Sequence, residues 1–271
     1  MSIWLAALLG LVQGLTEFIP VSSTAHLRVV PALLGQPDPG SAYTAVIQLG
    51  SLVAVIAYFA RDLLTVTVAL FRAPSTPEGR LPLYLAAGTV PIVIFGLLLR
   101  KRVEQDLRAL WIIAGALVVV GIAMALIDHL ATKNGNSRTL PSITLSDAML
   151  IGLAQTLALC PGVSRSGATI CMALLLGFAR TDAARFSFLL SIPAVGGAGI
   201  FELREAIKDL GADAIPALAV GTGVAAITSY AAIAWILRWL GTHQLIGFAI
   251  YRIACGAALL AAIAMGYLAG V

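Results

Sequence analysis

Six runs free of charged side chains dominate this chain, at residues 42–60, 81–99, 109–127, 186–201, 214–237 and 244–271, the last interrupted only by Arg252. A helix needs about 20 apolar residues to cross a bilayer, so runs of this length point to membrane spans. Composition agrees. The 271 residues are 60% hydrophobic and only 11% charged, with a mean hydropathy of +0.98, which excludes an ordinary soluble domain. The expected fold is therefore an all-α integral membrane protein forming one membrane domain over residues 1–271. The run at 186–201 is the shortest of the six.

The remaining polar residues are not scattered. Near the N-terminus stand Gly10, Gln13, Glu17, Pro20, Ser22, Ser23, Thr24 and His26, and half a chain later Gly152, Gln155, Pro161, Gly162, Ser164, Arg165, Ser166, Gly167 and Thr169. At an offset of 142, Gly10, Leu11, Gln13, Leu15, Val21 and Ser22 meet identical residues in the second copy. The segments around them are too interrupted to be simple spans. Proline cannot continue a helix, and a serine can cap the next one. The spacing predicts helices over 3–18 and 24–34 with a break at 19–23, and over 145–159 and 167–178 with a break at 160–166. Each leg suits half a membrane, so both pairs read as re-entrant hairpins. Non-helical backbone at that depth is tolerated only where protein or a wet cavity surrounds it.

Gly88-Thr89 and Gly221-Thr222 extend the repeat into the spans. Each half, 1–130 and 143–271, is then a hairpin followed by three crossings. Three crossings end on the opposite side, so the second half enters inverted, and the hairpin tips meet near the midplane. The helices starting near residues 22–24 and 165–167 would aim their N-terminal N–H groups at that point, and helix N-termini bind anions. Loop charges set no orientation, with six Lys/Arg on one side and eight on the other. The net charge of +4 is too small and dispersed for a nucleic-acid partner and suits contact with lipid headgroups. Residues 1–16 lack the basic start and cleavage site of a signal peptide. Cys160, Cys171 and Cys255 have neither the number nor the spacing of a disulfide framework or a zinc site. The charged stretch 202–209 reads as a solvated helix end or loop.

Ionisable groups at membrane depth mark function by default. Gln13 and Glu17 share one helix face, and their oxygens suit a hard cation such as Mg²⁺ or Ca²⁺. Ser23 and His26, three apart, can bring a hydroxyl to an imidazole for nucleophile and base work. Ser164, Arg165, Ser166, Gly167 and Thr169 supply hydroxyls, backbone N–H groups and a forked cation, the makings of a phosphate cradle. Ser22 and Thr24 offer further hydroxyls from the first hairpin. Arg252 reads as a structural residue, snorkelling or paired with a carboxylate, rather than a substrate contact.

Gln13-x-x-x-Glu17, Pro20-Val-Ser-Ser-Thr-x-His26 and Pro161-Gly-x-Ser-Arg-Ser-Gly-x-Thr169 together resemble the bacitracin-resistance family of undecaprenyl-diphosphate phosphatases. The likeness covers nearly the whole chain. It implies a multi-pass bacterial plasma-membrane enzyme that removes the terminal phosphate of a C55 polyprenyl diphosphate and so regenerates the monophosphate carrier for peptidoglycan and other wall polymers. It also implies a divalent cation, bacitracin resistance, homodimers and a site facing outward. Carried over by position, Ser23 and His26 match residues proposed for catalysis, and Glu17 and Arg165 join them as catalytic candidates. Gln13 and Glu17 match the family's acidic motif, and Ser164, Arg165, Ser166 and Thr169 match the diphosphate loop. Gln13 stands where a carboxylate is common, and Ala25 where glycine is frequent. Ser23, His26 and water remain open as nucleophile. A flippase or transporter of the same lipid is the alternative reading of an inverted repeat with broken helices.

Overall fold

The computed structural model describes residues 1–104, 106–210 and 214–268. Among these, the fold is built from α-helices and short 3-10 turns. The first hairpin is α1 (Ile3–Glu17) and α2 (Ser23–Leu33). It is followed by α3 (Gly40–Tyr58), α4 (Ala60–Arg72), α5 (Pro77–Glu104) and α6 (Leu110–Asn134). The second hairpin is α7 (Leu145–Thr156), a 3-10 turn at Leu157–Leu159 and α8 (Arg165–Leu175). Then come α9 (Arg180–Leu210), α10 (Ile215–Leu240) and α11 (Ile246–Ala264).

Helices α5, α6, α10 and α11 are long and apolar enough to cross a membrane, so the protein is a multi-pass membrane protein. The run at 42–60 does not end cleanly. α3 gives way to α4 with a bend of 72°, and α4 carries Arg61, Asp62 and Arg72, so the sequence reading missed a helix there. The expected span at 186–201 lies inside α9, whose 31 residues are long enough to cross but include charged ends. The charged stretch 202–209 continues the α9 backbone, and its side chains lie outside the described residues.

Both hairpins form where the breaks predicted them. α8 stops earlier than expected because Gly177 takes φ of +90°. Ser22 and Ser164, equivalent in the repeat, are the only non-glycine residues with positive φ among the described residues, at 75° and 74°. Each caps the following helix, Ser22 Oγ accepting from Ala25 N and Ser164 Oγ from Gly167 N. The same rare backbone recurs because the same local problem, a reversal ending in a capped helix, is solved twice.

The halves are interlocked. Gly10 on α1 packs so closely on α10 that a Cβ there would lie 2.3 Å from Gly221 O. Its counterpart Gly152 on α7 packs equally closely on α5, 2.1 Å from Gly88 O. Each hairpin thus rests on a span of the other half, and the two glycine contacts exchange under the repeat.

Ion pairs hold the outer ends. Arg108 binds Asp38 through both Nε (3.1 Å) and Nη2 (2.7 Å) at the base of the first hairpin. At the base of the second, Arg138 reaches Asp147 at 2.7 Å and the Leu176 carbonyl at 2.7 Å. Asp147 and Thr144 close a capping box there. Buried Asp128 on α6 accepts from Arg180 Nε on α9 at 2.6 Å and from Leu245 N before α11 at 2.7 Å.

Candidate active site

Glu17 ends α1 just before the first tip, and Arg165 begins α8 just after the second. The fold brings them together, with Arg165 Nη2 2.6 Å from Glu17 Oε1. Glu17 is buried and receives three further donors. Gln48 Nε2 on α3 donates to Oε1 at 2.7 Å, while Gln13 Nε2 (2.8 Å) and Ser23 Oγ (2.6 Å) donate to Oε2. A carboxylate at membrane depth survives as an anion when a cation and hydrogen bonds share its charge.

Beside this cluster opens a cavity of about 180 Å³. Its polar wall is Glu17, Ser23, Thr24, Gln48, Ser164 and Arg165, and its apolar wall is Ile92, Ala158, Ala194 and Val195. Arg165 Nη1 is buried and has no acceptor among the described residues. The helix N-termini of α2 and α8 carry Ser23 and Arg165 in their first turns. The cavity therefore sets a guanidinium and a hydroxyl already bonded to a carboxylate, beside two helix N-termini, against an apolar side. It suits a small anion attached to an apolar chain.

The model of a family described as Bacitracin resistance protein BacA matches residues 6–258. An undecaprenyl-diphosphatase from a Nocardioides species is 46% identical over 270 residues, covering 97% of each chain. One from Myxococcus xanthus is 46% identical over 274 residues, covering 99% of this chain and 91% of that protein. One from Gloeobacter violaceus is 48% identical over 271 residues, covering 97% and 92%.

The chain belongs to the BacA family.

Within this BacA chain, the sequence candidates sort into three groups. Glu17, Ser23, Thr24, Ser164 and Arg165 line the cavity. Ser22, Ser166, Gly167 and Thr169 lie behind it. Ser22 Oγ meets Thr24 Oγ1 at 3.2 Å, and Ser166 Oγ donates to the carbonyls of Glu17 and Ile19. Gly167 N caps on Ser164, and Thr169 Oγ1 donates to the Arg165 carbonyl at 2.8 Å and meets Ser187 at 2.6 Å. These four shape the tips rather than face the opening.

His26 stands apart. The spacing to Ser23 suggested a hydroxyl–imidazole pair, but the helix turns them to different partners. Ser23 goes to Glu17, while His26 Nδ1 meets the Ser22 carbonyl at 2.7 Å and Nε2 meets Tyr251 Oη at 2.7 Å. A carbonyl can only accept, so Nδ1 carries the proton, and in the neutral ring Nε2 accepts from Tyr251. Gln48 and Tyr251 were missed in the sequence. A lone glutamine inside the apolar run 42–60 was the available signal for Gln48.

The metal expectation fits this arrangement poorly. Glu17 already has four donors, and Gln13 turns its NH₂ toward it. Among the described residues, no three His, Cys, Asp or Glu side chains cluster to hold a metal. Mg²⁺ commonly binds one or two carboxylates plus substrate phosphates. Glu17 could serve in that way only if a donor left it.

Proposed function

We propose that this chain is an undecaprenyl-diphosphate phosphatase, hydrolysing the phosphoanhydride of the C55 lipid diphosphate to the monophosphate. The observation that carries the reading is the meeting of Glu17 and Ser23 from one hairpin with Arg165 from the other, beside a cavity with one polar and one apolar wall. The names of its relatives support the substrate class.

The residues divide the work as follows. The Arg165 guanidinium and the N–H groups at the starts of α2 and α8 hold the phosphates. The apolar wall receives the first isoprene units. Ser23 Oγ attacks the terminal phosphorus and passes its proton to Glu17, to which it already donates. The bond to the bridging oxygen breaks, undecaprenyl phosphate leaves, and water then releases phosphate from the serine. Such sites work by positioning and by electrostatics directed at the transition state. A divalent cation, if Glu17 released a donor to hold it, would supply neutralisation of phosphate charge.

The repeat argues for one chemical centre. Leu159 occupies the position equivalent to Glu17, and Ser23 the position equivalent to Arg165. A transporter that alternates between two equivalent states has less use for that asymmetry. The reading also places the protein in the bacterial plasma membrane, as homodimers, with the site open to the outer face and with bacitracin resistance as its phenotype. Phosphate release from undecaprenyl diphosphate by purified protein tests it. Metal-dependent release, lost in Glu17→Gln and Arg165→Ala, supports it, and no release from folded wild type under any metal sinks it.

A further inference from the structure

Arg252 breaks the last apolar run, yet it neither snorkels nor pairs with a carboxylate. It is fully buried, at 0% exposure, and it makes no ion pair among the described residues. Instead Nη1 donates to the Pro20 carbonyl at 3.0 Å, and Nη2 donates to the carbonyls of Gly162 (2.7 Å) and Val163 (3.0 Å). Pro20 and Gly162 are equivalent at the repeat offset of 142. One guanidinium therefore reaches the same place in both tips, where the backbone has left the helix and its carbonyls lack intrahelical partners.

The position of Arg252 is itself fixed. α11 packs on α6 through two close glycine approaches. A Cβ on Gly256 would lie 2.7 Å from Ala114 O, and one on Gly121 would lie 3.1 Å from Ala249 O and 3.3 Å from Arg252 Cβ. Gly162 is pressed onto the same α6, where a Cβ would lie 2.6 Å from Ile113 O. Arg252 does not line the cavity. It stands behind the tips, two residues beyond Ile250 and next to Tyr251, which holds His26.

We propose that Arg252 is the positioning residue of the site, fixing the two tips against each other so that Ser23 and Glu17 face Arg165 across one cavity. The fork geometry of a guanidinium is required. A single ammonium cannot reach both tips in this way, and a neutral side chain leaves carbonyls of both turns unpartnered. The inference rests on the phosphatase reading, and its test separates the two.

The experiment measures phosphate release from undecaprenyl diphosphate by the full chain in detergent, with Arg252→Lys, Arg252→Gln, Arg165→Lys and the Arg252→Gln/Arg165→Lys double variant beside wild type. Thermal unfolding is recorded for each. Arg252→Gln removes a buried charge that no carboxylate among the described residues balances, so a folded variant is expected. In both Arg252 variants kcat should fall about a hundredfold while KM changes less than about threefold, because misplacing reacting groups by about 1 Å acts on the transition state. Arg252→Gln should cost much less in the Arg165→Lys background, because both changes spoil the same alignment. Near-normal kcat in a folded Arg252 variant overturns the inference and leaves the phosphatase reading standing. Full multiplication of the two losses also overturns it, as does failure of both Arg252 variants to fold, which would assign the residue to stability. No release from folded wild type overturns both.

Discussion

Glu17 Oε1 and Arg165 Nη2 lie 2.6 Å apart although 148 residues separate them in the chain. Removing one member of a buried pair strands the other, at a cost of about 3–5 kcal/mol. The same change removes either a base or a phosphate donor. We expect Arg165→Ala to lower kcat by about 10²–10³, the loss typical of one oxyanion donor. Steady-state phosphate release checks it, and near-normal turnover would show that Arg165 only neutralises Glu17.

Ser23 and His26 have separate partners, so their substitutions should separate too. Ser23→Ala removes the hydroxyl bonded to Glu17, whereas Tyr251→Phe removes only the partner of His26 Nε2. We expect Ser23→Ala to abolish most turnover and Tyr251→Phe to reduce it by less than about tenfold, the scale of one hydrogen bond. A phosphorylated Ser23 trapped by acid quench would establish it as nucleophile. Full activity in Ser23→Ala would move the attack to water or His26.

The helix contacts at Gly10 and Gly152 predict a matched pair of packing defects. An added methyl meets a backbone carbonyl at 2.3 Å or 2.1 Å, which no side-chain rotation relieves. Gly10→Ala and Gly152→Ala should each destabilise by about 1–3 kcal/mol, the usual cost of overpacking. Unfolding temperatures in detergent would show both falling. Gly247→Ala, where an added Cβ meets nothing within 4 Å among the described residues, is the control whose unfolding temperature should not fall.

Asp128 joins α6 to the starts of α9 and α11 through Arg180 and Leu245 N. Asp128→Ala should destabilise by about 3–5 kcal/mol, because the Arg180 charge and a buried N–H lose their acceptor together. Asp128→Asn keeps an acceptor oxygen and should be milder. Denaturation of the two variants side by side checks the order, and equal stability would mean that the pair contributes nothing net.

The saturation of Glu17 by four donors predicts weak metal binding in the absence of lipid. Chelation should stop phosphate release, while calorimetry of Mg²⁺ against the substrate-free protein should show no tight site. Tight binding without diphosphate would indicate a resident metal centre and a rearranged Glu17.

Much of the architecture was legible because the bilayer leaves the backbone few choices. A chain that must satisfy every N–H and C=O internally writes its spans as apolar runs and its exceptions as proline, glycine and serine. The breaks at Pro20 and Pro161 and the repeat at offset 142 were visible for that reason. Where the rule weakens, so did the reading. α4 is amphipathic and polar-ended, and it bends away from α3 without a proline to mark the place.

The site divides in the same way. Glu17, Ser23 and Arg165 stood out in the sequence because polar groups are costly inside a membrane. Sequence spacing also paired Ser23 with His26, and the fold undid that pairing. A separation of three residues says only that two side chains share a helix face, not which more distant group each will meet. Gln48, Tyr251 and the two tip turns joined by Arg252 come from elements remote in sequence, and only packing brings them to the hairpins. The sequence by itself determined an all-helical membrane chain with two polar breaks of unlike chemistry. The tertiary structure decided that those breaks face one cavity, because contacts across about half the chain depend on helix packing that no local pattern encodes.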